Sequence, residues 1–279
     1  MKQLVIIVLV CMSTSVLGQV DTLFQINGDQ LLVDVTEITE SSIKYVFPNE
    51  SLTNTINKES VSKIHFKSGR QQTFTSQLNV ATIKSCLDWE KVQISNLESE
   101  VQALQKISNV GAKAKGMTTL SSISKLQDRA FDKIKMATAM LGGNVAYVMD
   151  QNTEEAVYGG RYGSTKLPSV AISALAYTNQ KVDQNKITYG DYKLSQVYEL
   201  KTNSYTIDEV PISEQAVELN NANVVNDNGC HTFKMSISSV PKVKDFVLIH
   251  ADDAQLVLSG VYTTRKGKTT YYNVILIKG

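Results

Sequence analysis

The chain has 279 residues, of which 42% are hydrophobic and 20% are charged, and its formal net charge at pH 7 is +1. This length is sufficient for two or three domains, each with its own core. A net charge so close to zero gives no electrostatic reason to expect binding to nucleic acid or to an anionic membrane surface.

Residues 1–18 have the pattern of a secretory signal peptide. Lys2 supplies a positive charge, Leu4–Val10 form an apolar run, and small or β-branched residues precede a cleavage site before Gln19. The apolar run is too short to cross a bilayer. A lipoprotein signal ending at Cys11 is the weaker alternative, because the residue before this cysteine is a valine rather than a small residue. We therefore expect an exported protein, periplasmic or at the cell surface, with no transmembrane segment after signal removal.

Residues 19–76 alternate short β-like runs with turn signals, which predicts a small antiparallel β-barrel of SH3-like or Sm-like size. The strongest turn signal is Asn27-Gly28-Asp29, which favours a tight hairpin. The predicted strands are Thr22–Ile26, Gln30–Ile38, Ile43–Phe47, Leu52–Ile56, Val61–Phe66 and Gln71–Phe74.

This segment resembles a module found at the start of secreted and envelope proteins of Gram-negative bacteria. The module has a D-x-I-x-x-x-N-G hairpin, a V-x-E-I strand, an I-x-Y strand and a closing I-x-x-I-x-x-x-x-G. The residues that match are Asp21–Gly28, Val35–Ile38, Ile43–Tyr45 and Ser60–Gly69, with Leu23 and Val61 in place of isoleucine. The resemblance implies an envelope location and a small barrel, and it implies no particular activity.

Residues 77–180 predict an α+β domain organised by one long helix. Apolar residues recur at steps of three or four from Leu120 to Leu141, so they share one face of a helix. Serines near the start offer N-cap oxygens, and Gly142-Gly143 favours a left-handed helix end. The predicted strands are Trp89–Ile94, Ile107–Lys115, Asn144–Met149 and Val170–Tyr177, which makes the domain of βαββ type.

The order of these elements is similar to the YbjQ-like family, which carries a heavy-metal-binding label, and to the periplasmic domain of the Rcs stress-sensor lipoprotein. The resemblance depends on Leu104–Gly111, on the alanines of the helix, and on Leu141–Ala146. The metal-binding property does not carry over. Cys86 is the only cysteine or histidine between residues 74 and 179, and one such ligand cannot hold a transition metal.

Residues 186–279 return to β patterns and predict a C-terminal β-sandwich. The predicted strands are Tyr192–Lys201, Tyr205–Val210, Thr232–Ile237, Phe246–His250, Gln255–Thr264 and Thr269–Ile277. The last two should form a hairpin around Arg265–Lys268, and turns are expected at Asn220-Asn221 and Asn226–Gly229. The whole chain is thus predicted to be α+β and mainly β, in three parts.

Two cysteines remain after signal removal, Cys86 and Cys230, in a compartment that permits disulfides. One interpretation is a disulfide that ties the central part to the C-terminal part. The other is two free thiols that pack as small hydrophobic side chains. The spacing does not decide between them.

Residues suited to catalysis or metal binding are few. The chain has three histidines: His65, His231 and His250. Cys230 and His231 are neighbours on a predicted strand, so we expect their side chains on opposite faces, unable to bind one ion together. His250 and Asp252 could share a face but lack further ligands. No G-x-S-x-G motif occurs, and Gly160–Lys166 lacks the spacing of a phosphate loop. We therefore assign no catalytic, cofactor-binding or metal-binding residue.

The best candidate for a recognition site is the glycine-containing segment 158–166. Tyr158, Arg161 and Tyr162 supply it with large side chains that suit recognition. We hypothesise a non-enzymatic envelope protein that binds or assembles through a sheet edge or this loop. Its partner would be another envelope protein or a second copy of the chain.

Two alternatives belong to other classes of function. A protein that binds a small molecule or a glycan should have a concave pocket lined by Tyr192, Tyr198 or Trp89. A hydrolase should have clustered carboxylates or a histidine in such a cavity. The scarcity of histidine argues against the hydrolase.

Overall fold

A computed structural model of the protein describes residues 20–25, 29–74, 80–102, 104–159, 163–182, 184–219, 224–227 and 230–279. Within these ranges, eighteen β-strands form three sheets and one long α-helix lies between two of the sheets. The prediction of a mainly β protein with one long helix is confirmed. No helix among the described residues is both long enough and apolar enough to span a membrane.

The N-terminal part is a six-stranded antiparallel sheet with the order β4-β3-β2-β1-β5-β6. Its strands are β1 (Asp21–Gln25), β2 (Gln30–Ile38), β3 (Ser42–Val46), β4 (Thr53–Asn57), β5 (Val61–His65) and β6 (Gln71–Thr73). All six predicted strands are confirmed within a residue or two at either end. Every second residue is buried in β1 and β3, and the small core of the sheet includes Leu23, Val33 and Ile64.

The predicted barrel is not closed among the described residues, because β4 and β6 form the two ends of the sheet and do not pair with each other. Short turns determine which strands pair when they follow one another in sequence, but closure of a barrel requires pairing between the two edge strands, β4 and β6. The turn signals carry no information on that pairing. The predicted Asn27-Gly28 turn lies outside the described residues, although β1 and β2 pair as it requires.

The central sheet has the order β7-β9-β10-β8. Its strands are β7 (Gln93–Ser95), β8 (Gln105–Lys115), β9 (Val145–Glu154) and β10 (Ser169–Thr178). Strand β10 is antiparallel to both β8 and β9, and β7 is parallel to β9. The helix α1 (Ile123–Met140) connects β8 to β9 across one face of this sheet. The domain is therefore a split β-α-β unit with β10 inserted between the two strands that the helix joins.

The helix is shorter than predicted, because it begins at Ile123 and Leu120 lies before it with 85% of its surface exposed. It ends where Gly142 adopts a left-handed φ of 76°. The Gly142 and Gly143 amides then donate to the carbonyls of Ala139 and Thr138 at 2.9 Å. These bonds satisfy carbonyls that the helix leaves unpaired, which is why a glycine follows the last turn.

The helix is buried on two sides rather than one. Its predicted stripe, including Leu126, Ala130 and Ile134, packs on the central sheet. Met136 and Met140 are also buried, and the same core contains residues of the C-terminal sheet: Tyr198, Leu200, Ile249, Val257 and Ile275. The central and C-terminal parts of the chain therefore share one core, with the helix as its middle layer.

The C-terminal strands form one eight-stranded sheet, in place of the two facing sheets of the predicted sandwich. The strands are β11 (Gly190–Lys201), β12 (Asp208–Glu209), β13 (Ala216–Leu219), β14 (Val224–Asp227), β15 (Cys230–Lys234), β16 (Asp245–Ala251), β17 (Gln255–Thr263) and β18 (Thr269–Lys278). The order is β12-β11-β18-β17-β16-β15-β14, with β13 paired to another part of β11. One face covers the helix, and the other encloses a second core that includes Phe233 and Phe246.

Two local predictions are wrong. Most of Trp89–Ile94 is not a strand, because Ser85 caps a 3₁₀ helix at Cys86–Lys91 by accepting the Leu87 amide at 3.3 Å, and only β7 follows it. The predicted strand Tyr205–Val210 is reduced to the two residues of β12.

The chain reverses direction at the predicted turn Asn226–Gly229, because β14 ends at Asp227 and this residue pairs with Cys230, the first residue of β15. Residues 228–229 and the other predicted turn, Asn220-Asn221, lie outside the described residues. The hairpin between β17 and β18 is confirmed, with the hydroxyls of Thr263 and Thr269 3.1 Å apart.

Candidate functional site

The predicted recognition loop is the tip of the hairpin between β9 and β10. Val157 and Lys166 close it with two backbone hydrogen bonds of 3.1 and 2.9 Å. Tyr158 follows with 66% of its surface exposed. Arg161 and Tyr162, the other two predicted residues, lie outside the described residues.

Two exposed apolar side chains from another loop lie at the same end of the central sheet. Met117 is 88% exposed and Leu120 is 85% exposed, and both belong to the connection between β8 and α1. Gly116 holds this connection beside the hairpin, because its amide donates to the Pro168 carbonyl at 2.8 Å. We call Met117, Leu120, Val157 and Tyr158 the hairpin end.

Charges of both signs surround the hairpin end. Glu154 is exposed at the end of β9, and its carboxylate accepts a 2.7 Å hydrogen bond from the Ser169 hydroxyl. This bond, together with Lys113, Lys166 and Lys115, holds the pKa of Glu154 below its ordinary value. Glu155 is exposed beside it. The exposed apolar side chains thus have a rim of three lysines and two glutamates.

A cavity of about 410 Å³ lies where the end of the helix meets the central and C-terminal sheets, and we call it the inter-sheet cavity. Its apolar walls are Ile107, Leu141, Val182, Val247, Leu248 and Ile249. Its lining also includes the polar residues Gln105, Gln180, Lys181, Cys230 and His231. Lys181 also pairs with Asp29 of the N-terminal part, so all three parts of the chain lie close to this cavity.

His231 on β15 has a buried ring without hydrogen-bond partners in the parts of the chain that the structure describes. Only 7% of its surface is exposed, and neither ring nitrogen has a hydrogen-bond partner among the described residues. The neighbouring Cys230 is more exposed, and its sulfur accepts a 3.3 Å hydrogen bond from Gln105 Nε2. The alternating burial of β15 places the two side chains on opposite faces, as expected, with His231 on the face that it shares with Phe233.

The two cysteines are free, so the candidate disulfide between Cys86 and Cys230 is not formed. Cys86 is fully buried in the core around the helix, whereas Cys230 borders the inter-sheet cavity. Burial raises the pKa of the Cys86 thiol to about 12. The sequence could not exclude the bridge, because the separation of two cysteines along the chain does not determine their separation in space.

These environments predict different reactivities for the two thiols. In the folded protein without residues 1–18, a disulfide reagent such as DTNB at pH 8 should modify Cys230 quickly and leave Cys86 unmodified until denaturant is added, since only the thiolate reacts. Cys230→Ser should abolish the fast phase, and Cys86→Ser should retain it. Absence of any reactive thiol in non-reducing denaturant would show that the bridge forms after all.

The aromatic residues predicted to line a ligand pocket do not line the inter-sheet cavity. Tyr192 and Tyr198 are buried in the two cores, and the Tyr192 hydroxyl donates to the Thr188 carbonyl at 2.7 Å. Trp89 packs against the core around the helix. The three side chains contribute to packing in this structure.

The remaining histidines occupy separate places. His250 Nε2 lies 3.3 Å from Asp252 Oδ2, so the predicted proximity of these two side chains is confirmed. His65 packs against the Phe24 ring in the N-terminal sheet, with 4.7 Å between ring centroids. Among the described residues, no three His, Cys, Asp or Glu side chains are grouped so that they could hold a metal ion.

Lys133 is a buried residue of α1 that the sequence analysis did not single out. Its amine donates to the Thr202 carbonyl, lies 5.0 Å from the centre of the Tyr205 ring, and borders a second cavity of about 410 Å³. Burial lowers the pKa of this lysine. The helical spacing contained the signal, because Lys133 lies three residues after Ala130 and four before Ala137, on the buried face.

Comparison of the chain with protein-family models, with curated proteins and with solved structures finds no match in any of the three.

Proposed function

We propose that this chain is a non-enzymatic, exported envelope protein that acts as an assembly module. In this proposal the hairpin end is the docking surface, and it binds a second copy of the same chain. The pattern of residues 1–18 supports export. The observation that carries the proposal is the exposure of Met117, Leu120, Val157 and Tyr158 at one end of the central sheet.

Exposed apolar side chains that are grouped in this way favour an interface. Removing apolar surface from water contributes roughly 25 cal/mol per Å², and large exposed apolar patches mark interaction sites in soluble proteins. Two of the four residues are more than 80% exposed, so nearly their whole side chains are available for burial. Tyr158 adds an aromatic ring of the kind that contributes most to binding at protein interfaces.

The charged rim favours a second copy of this chain over a lipid surface. Lys113, Lys115 and Lys166 lie beside Glu154 and Glu155, so the rim carries both signs. A twofold axis through the hairpin end would bring the lysines of one copy to the glutamates of the other. An anionic membrane surface would attract the lysines but repel the glutamates.

The test is the oligomeric state of three proteins in solution. We expect the wild-type protein without residues 1–18 to show a concentration-dependent dimer by analytical ultracentrifugation. The variant Met117→Ser/Leu120→Ser/Tyr158→Ser should raise the dissociation constant at least about 100-fold, because it removes the central apolar contacts. A matched control, Leu32→Ser/Leu52→Ser/Tyr189→Ser, removes two exposed aliphatic side chains and one exposed tyrosine elsewhere and should dimerise like the wild type.

A charge exchange tests the rim separately. Lys166→Glu should weaken the dimer, and adding Glu155→Lys should restore it, since the opposite signs face each other again. A wild-type protein that remains monomeric up to about 1 mM, the weak limit of specific association, would overturn the proposal. Binding to anionic vesicles that the triple variant loses would also overturn it, and would assign the hairpin end to lipid.

A further inference from the structure

We infer that the cavity beside Lys133 binds a small organic anion, whose carboxylate or phosphate group pairs with the ammonium group of this lysine. We call it the lysine cavity. It shares no lining residue with the inter-sheet cavity and none with the hairpin end, so it is independent of the proposed dimer. The sequence analysis assigned no ligand to any of its residues.

The lysine cavity lies between the helix, the central sheet and the start of the last strand. Its lining comes from α1, from β8, β9 and β10, and from Thr202, Gly267 and Thr269 at one end of the C-terminal sheet. Small residues on the helix and on the sheet, Ala137 and Ala174, leave space at its centre. Its volume of about 410 Å³ lies within the range of roughly 300–1,000 Å³ that is typical of small-molecule sites.

Lys133 supplies the charge of this cavity. Only 4% of its surface is exposed, and it is the one charged residue of the lining, which contains no aspartate and no glutamate. Its amine donates to the Thr202 carbonyl, and Thr202 also lines the cavity, so the ammonium group lies at the cavity wall. The Tyr205 ring, 5.0 Å away, is its other close partner. Both partners are neutral.

The charge of Lys133 is not compensated within the described parts of the chain, where no carboxylate forms an ion pair with it. Burial lowers the pKa of this lysine, and no described acid counteracts the shift. A buried ammonium is costly unless an opposite charge accompanies it, and neutral partners compensate only part of that cost. An anion in the cavity supplies the missing charge.

A second group of cations lies beside the cavity. Gly267, in its wall, belongs to the turn between β17 and β18, which also contains Arg265, Lys266 and Lys268. These three side chains are exposed, and none of them pairs with an acid among the residues that the structure describes. The net charge of the whole chain is only +1, so the excess of cations here is local. Such a group attracts anions and raises their concentration near the cavity.

The arrangement favours a small anion over other ligands. A cationic ligand would meet Lys133, and a neutral one would leave its charge uncompensated. The acid of the adjoining strand, Glu199, already pairs with Lys201, so it does not neutralise the site. A polyanionic chain or a membrane surface could reach the exposed turn, but it could not reach a lysine that is almost fully buried.

The experiment is isothermal titration calorimetry of the protein without residues 1–18, with citrate and with glycerol 3-phosphate as probes. We expect saturable binding of at least one probe to one site per chain, and the probe that binds identifies carboxylate or phosphate as the preferred group. Lys133→Met keeps the length of the side chain and removes its charge, so it should weaken binding about 10- to 100-fold. Met149→Trp should fill the cavity from β9 and abolish binding.

Two further variants separate the cavity from the turn. Arg265→Ser/Lys266→Ser/Lys268→Ser should weaken binding less than Lys133→Met does, since exposed charges contribute little. Lys84→Ser/Lys193→Ser/Lys234→Ser makes the same change in net charge at exposed positions elsewhere and should bind like the wild type. Glycerol, the neutral counterpart of glycerol 3-phosphate, should not bind.

Thermal unfolding followed by circular dichroism verifies that each variant is folded, and Met149→Trp decides the outcome if Lys133→Met is not. Absence of saturable binding of both probes to the wild type would overturn the inference. Binding that is lost in the variant of the turn but unchanged in Lys133→Met and Met149→Trp would also overturn it, and would assign the anion to the exposed turn. Binding should persist in the triple variant of the hairpin end, which distinguishes the two proposals.

Discussion

Replacing Asn273 with leucine should lower the free energy of unfolding by about 3–5 kcal/mol, because it leaves two buried backbone groups without partners. Asn273 lies on β18 and is fully buried. Its Nδ2 donates to the Met140 carbonyl at 2.8 Å, and its Oδ1 accepts the Cys86 amide at 2.7 Å. One side chain therefore holds the last strand, the end of the helix and the 3₁₀ helix together.

Urea unfolding followed by far-UV circular dichroism measures this effect. Asn273→Asp keeps an acceptor for the Cys86 amide and loses the donor to Met140, but it also introduces a charge, so it should destabilise strongly as well. Asn152→Leu is the matched control, since Asn152 is exposed on β9 and should change stability by less than about 0.5 kcal/mol. A loss below about 1 kcal/mol for Asn273→Leu would show that these hydrogen bonds do not secure the core.

Replacing Gly142 with alanine should lower the free energy of unfolding by about 2–4 kcal/mol, through backbone strain and overpacking together. The backbone of Gly142 has a φ of 76°, which is unfavourable for a residue with a Cβ. A Cβ at this position would also lie 2.6 Å from the Cβ of Ile249 on β16. The end of the helix rests directly against the C-terminal sheet here, so the alanine must displace one of them.

Gly267 separates the two causes. Its φ of 74° matches that of Gly142, but a Cβ there would have no atom within 4 Å. Gly267→Ala should therefore cost only the strain, about 1–2 kcal/mol. Adding Ile249→Ala to Gly142→Ala should destabilise less than the sum of the single variants, since the smaller side chain removes the clash. Equal losses for Gly142→Ala and Gly267→Ala would contradict the close contact between helix and sheet.

Local patterns predicted most of the elements because their causes are local. Alternating apolar residues located the strands of the N-terminal sheet, and the helical period from Leu120 to Leu141 located α1. The first residue of that stripe gave a wrong start for the helix. Leu120 fits the helical period, but it lies in the exposed loop between β8 and α1. A period records which residues could share a face and does not record where the helix begins.

The arrangement of the sheets could not be predicted in the same way, because it depends on contacts between distant strands. A signal for burial on two faces was nevertheless present. Leu256-Val257-Leu258 and Val274-Ile275-Leu276 are unbroken apolar runs, which are typical of strands covered on both faces. Alternate members of each run belong to different cores. This pattern favours a sheet that packs on both sides over a sandwich with one solvent face.

The candidate sites were only partly predictable. Glycines and tyrosines in segment 158–166 drew attention to Tyr158, which the structure places at an exposed tip. Met117 joins it only through the close contact of two loops at Gly116, and the sequence separation of these loops hides that contact. The inter-sheet cavity depends on side chains from β8, β15 and β16, so no single stretch of sequence could indicate it.

The position of β18 has a consequence for how the chain reaches its final state. This strand closes both cores, and the bond between Asn273 and Cys86 joins residues 187 positions apart. Contacts between such distant residues form slowly, because a large loop must close first. A chain that emerges amino terminus first, from a ribosome or a translocation channel, cannot enclose the helix until β18 has followed it out. Until that moment the helix face that packs on the C-terminal sheet remains open to chaperones and proteases.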